Sequence, residues 1–492
     1  MLFNSFNFWL LFPVVFVLYW VIPSRFLRVR NVFLILTSYA LYMCWKPAFA
    51  IVLMGVTVVT YLGGVILCKS SVCKNDDSND GVPLKNLSRQ KILVGCFTLL
   101  GILPLLVFKY YNFLNDSITN VLESCGLHFA LPGLNWAIPV GISFFTFQAV
   151  GYMLDVCFQR VNAEKDFLDY ALFVSFFPQV TSGPISRYSE LMPQIKKSHS
   201  FDYAQGVEGL KLILWGIFLK TVVADRLGIY ADAVYSNYTF YSGLTCFVAS
   251  VCYTFQIYSD FAGYSLLAIG IAKTLGFNLV NNFNRPYFAD SITNFWRRWH
   301  ISLTRWLTTY VYISLGGNRC SKFRQYLNIM ITFLVSGLWH GANWNFVIWG
   351  GLHGIFQIIE KALGIDPKGK FANNGLLKRI KPIRIIVTFL LVNFAWIFFR
   401  IPNLDDAVNI VYAIFTDYTL TIFNGENIYN TLYMVIALVI LLFKETIQEY
   451  FGGLYHFMFS HRLCRWSIYL LLFVCIILTG VFDSGNFIYV SF

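Results

Sequence analysis

The chain has 492 residues, 57% hydrophobic and only 13% charged, whereas soluble domains carry about 25% charged residues. The composition therefore excludes the set of about three soluble domains that length alone would suggest, and predicts one polytopic membrane domain over residues 1–492. The net charge of +12 is assigned to short basic loops that orient a membrane chain, so no nucleic acid partner is expected and the expected surroundings are membrane lipids. The cysteines number 11, scattered mostly in apolar runs with no CxxC pair. They read as small buried hydrophobes, not as a zinc site or disulfide framework.

Residues 6–23 predict a first spanning helix. No basic n-region or small-residue cleavage site accompanies it, so no cleavable signal peptide is expected. Arg25, Arg28 and Arg30 follow; the positive-inside rule makes that loop cytoplasmic and puts the N-terminus outside. Residues 31–45 and 48–68 are further apolar segments. Residues 69–91 form a polar, mixed-charge loop expected in the cytoplasm. Residues 92–114 return across the bilayer. Tyr110 to Gln159 contains no Lys or Arg, which makes 115–135 external, and 136–158 is the next span. Residues 168–183 are apolar but short and broken by Pro178, Gly183 and Pro184. Such a piece predicts a re-entrant segment, tolerated at membrane depth only beside protein or a watery cavity.

Residues 207–224 predict a helix. Residues 243–276 predict two helical pieces interrupted at Tyr258-Ser259-Asp260-Phe261-Ala262-Gly263-Tyr264, and 277–295 is Asn-rich and loop-like. Residues 301–315 read as an interfacial or dipping helix. Residues 365–384 are the densest basic loop, a cytoplasmic anchor, and 385–400, 428–443 and 466–483 are the last spans. The total is about ten to twelve crossings of about 20 residues each. No inverted repeat is visible, which weighs against a transporter.

The stretch 296–353 carries the chemistry. His300 follows Trp296, Arg297, Arg298 and Trp299; His340 ends an apolar run that begins at Gln325. About 15 residues of helix cover roughly 22 Å, which carries His340 well into the bilayer from the Arg319, Lys322 and Arg324 edge. An ionisable group at that depth points to function. A buried neutral imidazole can take a proton from a hydroxyl that attacks an ester or thioester carbonyl. No nucleophile elbow or activated Cys stands near it, so direct transfer is favoured over an acyl-enzyme. As a residue alone, His340 reads equally as a packed, hydrogen-bonded core histidine. His300 reads as an interfacial anchor or as a group that orients the donor and steadies charge on its carbonyl oxygen. Arg297, Arg298 and Arg319 suit donor phosphates or simple inner-side anchoring. Asp260 suits either a structural ion pair or a direct role, and Trp339 and Asn343 flank His340 as candidate substrate contacts. His340 and His353 are not spaced as a metal-binding helix pair, and no metal is expected.

Asn294-Phe295-Trp296-Arg297-Arg298-Trp299-His300-Ile301-Ser302-Leu303, Leu315-Gly316-Gly317-Asn318-Arg319 and Gly337-Leu338-Trp339-His340-Gly341-Ala342-Asn343-Trp344 resemble the signature of the membrane-bound O-acyltransferase (MBOAT) family, most closely its alginate O-acetyltransferase (AlgI) branch. Gln179-Val180-Thr181-Ser182-Gly183-Pro184-Ile185, Pro193-Gln194, the stretch from Tyr258 to Ser265 and the terminal Phe487-Ile488-Tyr489 are similar to that branch too. The resemblance implies an all-α ring of helices around a funnel or tunnel, in a bacterial inner membrane. It implies that His340 matches the family's essential histidine and His300 the second motif histidine. It implies transfer of an acyl group, acetyl-CoA or another activated donor supplying it from the cytoplasm, to an exported polysaccharide, cell-envelope glycan or periplasmic partner protein. No bound cofactor is implied. The teichoic acid D-alanyl branch lacks the Leu-Gly-Gly-Asn-Arg element, which favours acetyl over D-alanyl here. The ending Tyr489-Val490-Ser491-Phe492 departs from the branch's usual finish and leaves acceptor choice open. A proton-coupled transporter and a non-catalytic envelope scaffold are the rivals from other classes.

Overall fold

Apolar helices whose side chains face outward need a hydrocarbon solvent, and this chain has them. In the computed structural model, five helices among the described residues have the length and apolar composition to cross a bilayer: Ala48–Cys68, Ile92–Ser124, Lys381–Arg400, Ile428–Tyr450 and Arg462–Thr479. Only 11% of the Ile92–Ser124 window and 6% of the Arg462–Thr479 window is buried inside the protein. Exposed apolar faces of that extent are not stable in water. The structure describes residues 3, 5–70, 84–127, 132–367, 369, 375, 379–425 and 427–482. Most of the expected 69–91 loop, Lys368, Lys370 and Lys378 of the 365–384 loop, and the 485–492 ending lie outside the described residues. Among the described residues every regular element is helical. The expectation of about ten to twelve crossings counts shorter helices as spans; Phe6–Val21 and Ile142–Cys157 have 16 residues each.

Contacts divide the chain into two units, Met1–Gly209 with Ala268–Val280, and Leu210–Leu267 with Asn281–Phe492. The first unit holds α1 (Phe6–Val21), α2 (Leu27–Met43), α3 (Ala48–Ser70), α4 (Leu84–Leu105), α5 (Tyr111–Ser124), α6 (Ile142–Cys157), α7 (Phe167–Ser175), α8 (Phe177–Val180) and α9 (Tyr188–Ile195), and α10 (Tyr203–Ile217) begins in it. The stretch expected to be short and broken is the pair α7 and α8. Asp166 starts α7 by accepting the Leu168 and Asp169 amides, and Pro178 sits in the first turn of α8, where its missing N–H costs nothing.

The loop before α7 is fastened by Glu164, which is 3% exposed. Its carboxylate accepts the Lys165 and Asp166 amides at 2.9 and 3.0 Å, the Tyr188 hydroxyl at 2.5 Å and the Lys196 ammonium at 2.6 Å. Burial pushes this carboxyl up, but the hydrogen bonds from Lys196, Tyr188 and the Asp166 amide outweigh it and hold it below the usual carboxylate range.

The second unit continues α10 through a π-helical segment, Phe218–Ala224, into α11 (Asp225–Ser236), then α12 (Gly243–Thr274, whose last turns belong to the first unit), α13 (Ile292–Arg298), α14 (Ile301–Leu307), α15 (Lys322–His340) and α16 (Trp344–Ala362). It ends with α17 (Lys381–Arg400), α18 (Leu404–Thr416), α19 (Ile428–Tyr450), α20 (Gly452–Ser460) and α21 (Arg462–Thr479). One expectation is corrected: 243–276 is not two pieces but a single helix of 32 residues. The Tyr258–Tyr264 stretch does not break it because Asp260 and Tyr258 find tertiary partners. Asp260 pairs with Lys220 at 2.7 Å, and Tyr258 donates to Glu445. Gly263 faces Gly216, where a Cβ on either would lie 2.9 Å from the other's carbonyl oxygen.

The α15–α16 hairpin positions the site. Ser321 starts α15 by accepting the Arg324 amide. The chain leaves the helix at Gly341, which is extended, and Asn343 caps α16 by accepting the Asn345 amide. The two helices touch backbone to backbone: a Cβ on Gly337 would strike the Phe346 carbonyl, and one on Gly350 the Phe333 carbonyl and, at 3.3 Å, the Gly337 Cα. Small residues permit such approach in membrane proteins. Gly337 precedes His340 by three residues and Gly350 precedes His353 by three, so each histidine shares a helix face with its glycine.

Two outcomes follow. Gly350→Val should lower stability by about 1–3 kcal/mol through overpacking, read as detergent-solubilised thermal unfolding; Gly351→Ala, whose Cβ would meet only Leu334 at 3.9 Å, should be neutral. Glu164→Gln should destabilise the protein at neutral pH. Because the folded carboxyl is held low, the wild-type advantage is present above the unfolded carboxylate range near ~4.3 and shrinks as pH falls below it; an advantage independent of pH between 7 and 3.5 contradicts this.

Candidate active site

His340 is the last residue of α15 and is 2% exposed. Three aromatic rings fence its imidazole nearly at right angles: Trp339 at 4.8 Å, Trp349 at 4.9 Å and Phe399 at 5.1 Å between centroids. Such walls keep bulk water from the ring and strengthen any polar interaction made there.

His300 sits at the break between α13 and α14, fully buried, with left-handed backbone (φ 41°, ψ 54°). A non-glycine residue holds that conformation only when its surroundings over-determine it. Asn282 does so. Its backbone carbonyl accepts the Ile301 amide at 2.9 Å. Its Oδ1 accepts the Ser302 amide at 3.2 Å and the Ser302 hydroxyl at 2.9 Å, and lies 3.1 Å from His300 Nδ1. An amide oxygen only accepts, so with this assignment Nδ1 carries the proton and Nε2 keeps the lone pair. The other end of Asn282 donates to Ser265 at 3.3 Å. Phe261 stands edge-on to the His300 ring at 4.6 Å.

Trp339 joins the two histidines, with centroids 5.7 Å from His300 and 4.8 Å from His340. The structure thus brings together three expected residues separated by up to forty positions. A third histidine enters through α16. His353 is fully buried, its Nδ1 accepts the Trp296 indole N–H at 3.3 Å, and its ring lies 4.9 Å from Trp349. Sequence reading considered His353 only as a metal ligand; the signal for its real setting was the Trp349–His353 spacing of four, one face of a helix. Asn282 was missed because its role depends on a loop crossing that has no sequence periodicity.

The other expected contacts are placed differently from one another. Asp260 faces Lys220, which also binds Asp225 at 2.7 Å, all three buried. Asn343 is a helix cap whose amide also donates to the Pro402 carbonyl at 2.9 Å. Arg297 and Arg319 are exposed. Arg298 binds Glu449 at 3.0 Å, beside Arg285 on the same carboxylate at 2.7 Å. Among the described residues no group of three or more His, Cys, Asp or Glu is arranged to hold a metal.

The profile of the membrane-bound O-acyltransferase family matches residues 158–364, a span that contains both motif histidines, Trp339 and Asn282. The chain is 37% identical over 419 residues to a probable alginate O-acetylase AlgI of Pseudomonas aeruginosa, covering 85% of this chain and 75% of that protein. The chain belongs to the membrane-bound O-acyltransferase family. It is also 38% identical over 330 residues to a peptidoglycan O-acetyltransferase of Helicobacter pylori, covering 62% of this chain and 61% of that one. A teichoic acid D-alanyltransferase of Streptococcus thermophilus matches at 30% over 240 residues, 45% of this chain and 57% of that one. Membership fits the fold, which is helical throughout the described residues and carries five candidate membrane spans among them.

If Asn282 positions His300, Asn282→Ala should cut acyl transfer about 10- to 100-fold, the range seen when a supporting residue is lost, while Asn282→Asp, which keeps an acceptor oxygen, should retain more. Equal losses in the two variants at unchanged thermal stability would contradict the positioning role.

Proposed function

We propose that this protein is a membrane O-acetyltransferase that moves an acetyl group from an activated donor on the cytoplasmic side to a hydroxyl of an envelope glycan, or of a partner protein serving one, on the outer side. The observation that carries the reading is the enclosure of His340 by Trp339, Trp349 and Phe399, with His300 also in ring contact with Trp339. His340 acts as general base. It takes the proton of the acceptor hydroxyl as that oxygen attacks the acetyl carbonyl; the bond from carbonyl carbon to the donor's sulfur breaks; the ester forms; and the proton returns from the imidazolium to the thiolate. Atoms and charge balance with no further reactant. His300, held rigid by Asn282, orients the donor or stabilises charge on the carbonyl oxygen. Acetyl-CoA is the natural donor for this chemistry, and the enzyme needs no bound cofactor.

The names of the Pseudomonas and Helicobacter relatives support acetyl and a glycan acceptor; the Streptococcus relative, matched over a smaller share, supports D-alanyl less. Arg25, Arg28 and Arg30, at the start of α2, support a cytoplasmic placement of that loop and an outside N-terminus in the inner membrane of a bacterium.

Purified protein in lipid vesicles, given radiolabelled acetyl-CoA and a candidate glycan, should produce labelled acceptor. His340→Ala should reduce the rate by roughly 10²–10⁴-fold, the usual worth of a general base. Equal labelling in both would remove His340 as base, and label that crosses the vesicle unreacted would point to transport instead. Transfer of activated D-alanine in place of acetyl would select the alternative acyl group.

A further inference from the structure

α12 carries a buried ion pair on one face and part of the support of His300 on another. Lys220 sits in the π-helical segment Phe218–Ala224 and pairs with Asp260 of α12 at 2.7 Å, the two side chains 2% and 1% exposed. Its ammonium also binds Asp225, five residues further along the same stretch of chain, at 2.7 Å, and lies 5.6 Å from the centre of the Tyr264 ring. Asp260, Gly263 and Tyr264 fall at i, i+3 and i+4, one face of the helix. On that face the two backbones meet: a Cβ on Gly216 would lie 2.9 Å from the Gly263 carbonyl oxygen and 3.1 Å from the Leu267 side chain.

Phe261 and Ser265, four residues apart, share a different face. Phe261 stands edge-on to the His300 ring at 4.6 Å. Ser265 accepts from Asn282 Nδ2 at 3.3 Å, and Asn282 Oδ1 lies 3.1 Å from His300 Nδ1. One helix therefore connects Lys220 to His300, with a contact on each face. The ion pair is poorly explained as a source of stability. Desolvating both charges offsets their attraction, and fixing register is the best-attested use of a buried pair. The glycine contact lets the two helices approach closely, but apolar contact alone permits sliding and rotation; the bridge selects one position. Of the two carboxylates on Lys220, only Asp260 reaches it from another helix. The π-helical turn that aims Lys220 at α12 is of a kind frequent at functional sites.

We propose that Lys220 and Asp260 are positioning residues for His300. Their bridge fixes the axial position and rotation of α12, which sets Phe261 against the His300 ring and Ser265 against Asn282. Neither residue touches the reacting atoms; both act through α12. This deepens the acetyltransferase reading and rests on it.

The test compares two variants with the same change of charge. Asp260→Asn removes the bridge to α12 and leaves Lys220 opposite Asp225; Asp225→Asn leaves the bridge in place. In the vesicle assay with acetyl-CoA, Asp260→Asn should lower kcat about tenfold or more, a loss that slight misplacement near reacting groups can cause, while Asp225→Asn stays within about twofold of wild type. Equal losses would trace the effect to charge alone and overturn the proposal. Lys220→Arg keeps the charge at a different reach and serves where Asp260→Asn folds poorly; it too should lower kcat, and unchanged turnover would count against the bridge. In a Phe261→Leu, Ser265→Ala background α12 has lost both contacts to the histidine and its support, so adding Asp260→Asn should cost less than about twofold more, because residues acting through one another are not additive. The full loss in that background would show that Asp260 acts elsewhere and overturn the proposal. Solid-state ¹⁵N spectra of histidine-labelled protein, with the His300 signals assigned by their loss in His300→Gln, keep the test independent of turnover. Asp260→Asn should move the His300 signals and Asp225→Asn should not. Moved signals in a protein that transfers no acetyl group would sink the transferase reading and leave the positioning role standing, whereas unmoved signals would sink the positioning role.

Discussion

The backbone contact between α15 and α16 is the constraint on which the site depends. With no side chain at Gly337 or Gly350, the two helices approach until the Phe346 and Phe333 carbonyls fill the space that methyl groups would need. That approach turns the glycine faces inward and carries His340 and His353 with them. Trp349 then fills the gap between the two rings, 4.9 Å from each. A wider spacing would admit water or lipid, and the aromatic walls around His340 would open.

Polar groups in the second unit are placed by the same economy. Water is scarce around charges inside a membrane protein, and several buried ones are tied to partners. Lys220 answers Asp225 and Asp260, Glu449 answers two arginines, and Asn393 links Thr254 and Ser250 across α17 and α12. Such interhelical hydrogen bonds are modest individually but set the register of neighbouring helices. The α13–α14 break follows this logic. Its left-handed His300 would be unfavourable alone, and the hydrogen bonds of Asn282 make it the stable local conformation.

The separation of roles follows from where rigidity and access coincide. Fully enclosed rings, held by perpendicular aromatic contacts, suit proton transfer, which tolerates little misplacement. Partly exposed Arg285 and Arg298 are instead fixed by sharing the Glu449 carboxylate. One short helix, α13, joins the two regions: Trp296 on it contacts His353, and Arg298 at its end binds Glu449.

Much of this was legible from the sequence, for physical reasons. Low charge and long apolar runs determined a helical membrane protein, because in hydrocarbon every backbone polar group must be satisfied within its own segment. The Pro- and Gly-broken stretch near 178 predicted the short α7 and α8, and the motif around His300 and His340 marked the family. The unbroken α12 was not legible: Tyr258, Asp260 and Gly263 look like an interruption until Glu445, Lys220 and Gly216 are placed against them. Nor were Asn282, His353 and the Arg285–Arg298–Glu449 network, since each depends on residues brought together from distant positions. Local solvent and periodicity are properties of a segment, so the sequence by itself determined the solvent, the helices and the candidate histidines. Partners are properties of packing, and only the tertiary structure decided which groups hold those histidines and which carboxylates hold the cations.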